Sequence, residues 1–146
     1  MNEGAPIGIA VVGHGSTAST LLAAARGIVR TGVLDGVIAI DAGLGETPTF
    51  SEAMCNAIVK ADRGRGVVVL VDLFGASPCK CAQREGVGHP MVVVSGLSLA
   101  MLLKLTGLDR TRLALGEIAE ACAEAGRRAV GINQAPCAEL APSEGQ

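Results

Sequence analysis

Among the residues of this chain, a histidine between two glycines is the one best placed for chemistry: Gly13-His14-Gly15-Ser16-Thr17, where an apolar run gives way to a helical pattern. An imidazole is neutral and nucleophilic near neutral pH, so the position suits a phosphoryl acceptor or a general base. Small neighbours leave the ring open, and an anion held there faces the N–H groups and positive dipole end of the following helix. The plainer alternative is a histidine that only hydrogen-bonds within its turn. A second segment, Val71-Asp72-Leu73-Phe74-Gly75-Ala76-Ser77-Pro78, ends another apolar run with a carboxylate. If the two runs are neighbouring strands, Asp72 lies beside His14, accepts one ring N–H and leaves the outer nitrogen free to attack. Read structurally, Asp72 is a loop cap, as Asp commonly is at strand ends. Ser77 caps the helix that starts at Pro78, and its hydroxyl and the first N–H groups there can also meet a phosphoryl oxygen.

Other candidates read as structural. Thr47 is an N-cap before Pro48, and Asp41, at the end of a strand, is assigned to structure rather than catalysis. His89 precedes Pro90 at the start of a strand, the edge opposite to the one where such sheets bind ligands, and is read as dispensable. Cys79-Lys80-Cys81 matches no zinc spacing and the chain has only two histidines, so no metal site is expected. Cys79 is read as a packing residue without a redox role. Gly13-His14-Gly15-Ser16-Thr17-Ala18 also fits the G-x-G-x-x-G/A dinucleotide fingerprint, with Asp41 where a ribose-binding acid would lie. Against this stand five strand candidates, where such a domain uses about six, and the lack of a substrate domain.

These groups need elements to position them. Ile7–Val12, Gly36–Asp41, Gly66–Asp72, Met91–Val94 and a short Ala129–Ile132 read as strands, apolar throughout rather than alternating, as in strands covered on both faces. Between them, Leu21, Leu22, Ala25, Ile28 and Val29 make one stripe of a helix that Ser16 or Thr17 caps and Gly32 ends. Phe50, Ala53, Met54, Ala57, Ile58 and Ala61 mark a second helix, and a third starts at Ser77-Pro78. Leu99–Leu105 is apolar nearly all round and must be buried or face another subunit. Leu115, Ile118, Ala119 and Cys122 form the stripe of a last helix. The alternation gives an α/β fold, an open, mostly parallel sheet of about five strands with helices on both faces. Ligands then bind beyond the carboxyl ends of the strands, where His14 and Asp72 lie.

Composition bounds the function. The 146 residues suit one domain, and with 49% apolar and 18% charged residues the chain can bury about 70% of its unfolded surface. Twelve Lys and Arg against fourteen Asp and Glu leave a charge of −2, which offers no footprint for nucleic acid. Two Phe, no Tyr and no Trp remove the ring faces on which sugars and bases stack. Five cysteines, odd in number and set in apolar runs, suit a reducing compartment without a disulfide framework. Neither a signal sequence nor a bilayer-length apolar run is present, so the expectation is a cytoplasmic protein with no membrane insertion. The polar tail 136–146 is expected to be frayed.

With these segments in view, Ile9-Ala-Val-Val-Gly-His14-Gly-Ser with Leu21-Leu22-Ala, Gly43-Leu44-Gly45-Glu46-Thr47-Pro48 and Val71-Asp72-Leu-Phe-Gly-Ala-Ser77-Pro78 together resemble the IIA component of the mannose family of the bacterial sugar phosphotransferase system. The likeness runs from about Ile7 to Asn133, which makes 1–135 the IIA domain. It implies a phosphotransferase without a cofactor: His14 takes a phosphoryl group from the phosphocarrier HPr on its outer nitrogen and passes it to a IIB protein, with Asp72 orienting the ring. Gly15, Ser16, Gly75, Ala76 and Ser77 would line the phosphoryl site. It further implies a homodimer in which the last strand, here Ala129–Ile132, pairs with the partner's sheet, and contact with membrane IIC and IID components only through IIB. No fused IIB domain is expected after Gln146. The chain departs from the family's Gly-x-Asn-x-Pro-Met stretch with Gly96-Leu97-Ser98-Leu99-Ala100-Met101. The same frame also serves a regulator or the phosphoryl donor of a dihydroxyacetone kinase.

Overall fold

Strands whose every residue is apolar must be covered on both faces, and the fold meets that demand. The computed structural model describes residues 4–43, 48–73 and 89–134. Strands β1 (Gly8–Gly13), β2 (Ile38–Asp41), β3 (Val67–Val71) and β4 (Met91–Ser95) form one parallel sheet in the order β2-β1-β3-β4. Helices α1 (Thr17–Ile28), α2 (Pro48–Ala61), α3 (Leu99–Leu105) and α4 (Leu115–Ala129) cover it. The four strands lie within a residue or two of their expected limits, and the architecture is the expected α/β one.

Alternation along β1 and β3 divides the core. Ile9, Val11, Val68 and Leu70 face α1, α3 and α4. Ala10, Val12, Val67, Val69 and Val71 face α2 through Met54, Ile58 and Ala61. At β1, Gly8 lets α2 approach: a Cβ there would lie 2.2 Å from the carbonyl oxygen of Ala61. Leu99–Leu105 is the expected buried helix, with Met101, Leu102 and Leu105 enclosed between α1 and α4. Among the described residues no helix is long and apolar enough to cross a membrane.

The expected fifth strand at Ala129–Ile132 is not a strand within the chain. Ala129 is the last residue of α4, and residues 130–134 follow it outside the sheet. Arg127 and Arg128 extend the helix because cations favour its negative end. Val130 and Ile132, 82% and 89% exposed, are left beyond it with no sheet of their own. Nor are all thiols free: Cys55 on α2 is disulfide-bonded, contrary to the expectation of a chain without disulfides. Cys122 is free, and burial pushes its thiol up to about 11.

The amino edge of the sheet is tied by polar side chains. The Arg65 guanidinium donates to the carbonyls of Ala5, Arg110, Thr111 and Leu113, and Arg110 to those of Ile7 and Val33. Asp62, just after α2, accepts from the amides of Gly64 and Gly66 at 2.8 and 3.0 Å and pairs with His89 Nδ1 at 2.8 Å. His89 is therefore a structural tie between the α2–β3 turn and the entrance to β4. Burial raises the Asp62 pKa, but the bonds from His89, Gly64 and Gly66 outweigh it and hold the carboxyl below its ordinary value. A carboxyl depressed in the folded state contributes stability above the unfolded carboxylate range, and that contribution is lost as pH falls through the folded value. Denaturant titrations should accordingly show stability falling from pH 6 to pH 3. Asp62→Asn should cost about 1–3 kcal/mol at pH 6 and flatten the acid dependence; an unchanged acid slope would remove Asp62 as its source.

Candidate functional site

From β1 the chain passes to β2 on one side, then crosses back to β3 on the other. Such a reversal opens a crevice at the carboxyl ends of the central strands. His14 follows the last residue of β1 and Asp72 the last residue of β3. Val12 and Val71 are register partners, and the Asp72 amide donates to the Val12 carbonyl at 3.2 Å, so the two residues after these strands meet across the crevice.

Asp72 binds His14 twice. Its Oδ2 accepts the His14 backbone amide at 2.8 Å, and both carboxylate oxygens lie 3.1 Å from His14 Nδ1. Oδ1 also accepts the Leu73 amide at 2.7 Å. A carboxylate accepting at Nδ1 selects the tautomer with its proton there and places the lone pair on Nε2. That second nitrogen has no hydrogen-bond partner among the described residues, and the His14 side chain is 49% exposed. Burial raises the Asp72 pKa, but the bonds from the His14 amide, the His14 ring and the Leu73 amide prevail and keep it below the usual carboxylate value. The result is a ring fixed at one edge by an anion and open to solvent at the other, an arrangement able to attack an electrophile and to support the cation that results.

Two further strands fix this pair. From β4, the amides of Gly96 and Leu97 donate to the carbonyls of Asp72 and Val71 at 3.3 and 2.9 Å. Ser98 then caps α3, its Oγ accepting from the Met101 amide. From β2, the Ala42 amide donates to the Gly13 carbonyl at 2.7 Å, and Gly15 and Gly43 form an antiparallel bridge. Gly15 adopts a φ of +58°, a left-handed conformation that favours glycine.

The start of α1 differs from expectation in its partners. Ser16 is the N-cap residue, yet its side chain makes no capping bond. The Gly15 amide is taken by the Gly43 carbonyl at 2.6 Å. The anion at the helix start is Asp41, whose carboxylate accepts the Ser19 amide at 3.0 Å and the Ser19 hydroxyl. The sequence reading marked Asp41 as structural and passed over Ser19. The available signal was position: Asp41 is the register partner of Gly13, one strand away from His14. The same bonds occupy the acid that a ribose would need in the dinucleotide reading. Gly75, Ala76 and Ser77 lie outside the described residues.

The family model "PTS system fructose IIA component" matches residues 8–123, most of the chain. The chain belongs to this family. It is the phosphotransferase-system IIA family that the His14 and Asp72 segments resemble. The IIA chain is 25% identical to the mannose/sorbose specific IIA subunit of the phosphotransferase system from Enterococcus faecalis, with a TM-score of 0.69 over 94% of this chain and 100% of that one. The phosphotransferase system component EIIA from Streptococcus agalactiae shares the fold, with a TM-score of 0.67 at 22% identity, covering 86% and 96% of the two chains. A provisionally named phosphotransferase enzyme IIA component of Escherichia coli (strain K12), YadI, is 33% identical over 63 residues. That match takes in 42% of the IIA chain and 43% of the relative, less than half the length of either.

The geometry fixes one spectroscopic outcome. In nitrogen-15 spectra at pH 8, His14 should show a protonated Nδ1 and a bare Nε2. Asp72→Ala should return the ring toward the Nε2–H form that free imidazole side chains favour; an unchanged tautomer would mean that Asp72 does not set it.

Proposed function

We propose that this IIA chain is a phosphohistidine relay in which His14 Nε2 accepts a phosphoryl group from phospho-HPr and delivers it to a IIB protein. One observation carries the reading: a carboxylate spans Nδ1 at 3.1 Å while the opposite ring nitrogen stands open on the crevice rim. Asp72 orients the ring before attack and offsets the positive charge of the phosphorylated imidazole afterwards. In this reading Gly75, Ala76 and Ser77, three to five residues after Asp72 in the chain, supply amides and a hydroxyl to the phosphoryl oxygens, together with Gly15 and Ser16 at the start of α1. No cofactor is needed, since the group arrives already activated. The absence of Tyr and Trp agrees with a relay that meets proteins and phosphoryl groups and leaves the sugar to its partners. Contact with membrane components runs through IIB, and residues 1–135 make up the IIA domain.

The test is intact mass after incubation with phosphoenolpyruvate, enzyme I and HPr. A gain of one acid-labile phosphoryl group is expected, absent from His14→Ala, which should keep its fold because the ring is not part of the core. Asp72→Asn should slow transfer on the order of 10²-fold, as loss of one well-placed electrostatic partner does. No gain with matched HPr, or transfer by Asp72→Asn at the normal rate, would overturn the reading.

The reading includes a homodimer. The outer edge of β4 borders a groove of about 600 Å³ lined by Met101, by Ala119, Glu120, Ala123, Gly126 and Arg127 of α4, and by Val130 just beyond it. Residues 130–134 of a second copy, bearing exposed Val130 and Ile132, suit that edge as an added strand. Sedimentation velocity should show a dimer that Ile132→Asp shifts to monomer. A wild-type chain that sediments as a monomer at micromolar concentration would exclude the exchange.

A further inference from the structure

Resting on the reading of His14 as acceptor, we propose that Asp41 sets the phosphoryl-transfer potential of His14 as a fixed negative charge beside it. A relay must bind its phosphoryl group without making it too stable to leave. The start of a helix ordinarily stabilises an adjacent anion through free N–H groups and the positive dipole end. Here part of that capacity is already used. The Asp41 carboxylate accepts the amide of Ser19, third residue of α1, together with its hydroxyl, and α1 carries no acidic residue of its own in the first turn.

Position strengthens the argument. Asp41 is the register partner of Gly13, and neighbouring strands lie about 4.8 Å apart. His14 is the next residue along, so it stands with Asp41 at the end of β2 on one flank and Asp72 at the end of β3 on the other. Of the two carboxylates only Asp72 bonds to the ring. The bonds that hold His14, Asp72 and Asp41 come from backbone amides, a ring N–H and a hydroxyl, with no lysine or arginine among them. A phosphoryl group on Nε2 therefore enters a site flanked by two strand ends that each bear a carboxylate, next to a helix start whose Ser19 amide is already taken by an anion. Asp72 offsets the cationic ring, whereas Asp41 opposes the phosphoryl oxygens.

The step itself balances simply. The Nε2 lone pair forms the N–P bond as the donor's bond to phosphorus breaks, the electron pair of that bond stays with the donor, and Nδ1 keeps its proton toward Asp72. Asp41 takes no part in bond making; it is a positioning charge whose effect is read in the equilibrium.

The experiment mixes phospho-HPr with the chain in equal amounts and measures the equilibrium ratio of phosphorylated forms by intact mass. Asp41→Asn retains an oxygen for the Ser19 amide and removes only the charge. It should shift the ratio toward the phosphorylated chain roughly threefold at low ionic strength, an effect that shrinks in 0.5 M salt. Ser19→Ala removes the hydroxyl bond and keeps the charge, and it should leave the ratio where it was. An unchanged ratio in Asp41→Asn, or an equal shift in Ser19→Ala, would overturn the proposal, the second by making the effect one of structure. If the unmodified chain takes up no phosphoryl group on His14, the acceptor reading itself falls and this one with it.

Discussion

The carboxylate of Asp72 gathers the backbone amide and ring of His14 and the amide of Leu73, and the carboxyl-terminal rim of the sheet is organised around it. Those bonds demand that two residues far apart in sequence end adjacent strands at the same height. Parallel pairing of β1 with β3 in one register supplies that condition, and the buried apolar residues along both strands, Ile9 to Val12 and Val67 to Val71, supply the burial that holds it. The crevice follows from topology, since the chain leaves β1 toward one side and returns on the other. The pairing of His14 with Asp72 is thus a consequence of sheet order before it is a consequence of any single side chain.

Around this point the neighbouring strands act as clamps of different kinds. β4 grips the backbone of Val71 and Asp72 through the amides of Leu97 and Gly96, and then turns into α3 under the Ser98 cap. β2 grips the other side through the Gly15–Gly43 bridge and the Asp41–Ser19 bonds. The amino edge is built differently, from guanidinium groups that collect carbonyl oxygens and from the Asp62–His89 pair.

Much of this was legible in the sequence, and for identifiable reasons. The apolar runs at β1 and β3 have no polar alternation, which only a sheet covered on both sides tolerates, so the architecture could be read directly. His14 and Asp72 could be paired because strand ends converge once the order is guessed. Three things were not legible. The Ala129–Ile132 segment has strand-like residues, but whether they pair depends on a sheet edge that its own chain does not bring to it. The Asp41–Ser19 contact joins residues 22 apart whose types are ordinary for a strand end and a helix start, and only the register of β2 on β1 brings them together. His89 was read as dispensable, and its tie to Asp62 was missed because that partner reaches it from a turn that carries no motif of its own.

The contact between His14 and Asp72 bridges 58 residues of chain. Closing a loop of that size carries an entropic cost that must be met before the contact returns anything, and contacts of such long range form late in folding. A nascent or partly unfolded chain has β1 without β3 beside it, and its His14 is an ordinary solvated histidine with no fixed tautomer. The ring held at Nδ1 by Asp72 therefore exists only in chains whose central strands have already docked. The His14–Asp72 contact is in that sense a mark of the completed sheet, which a chain trapped short of the native fold does not carry.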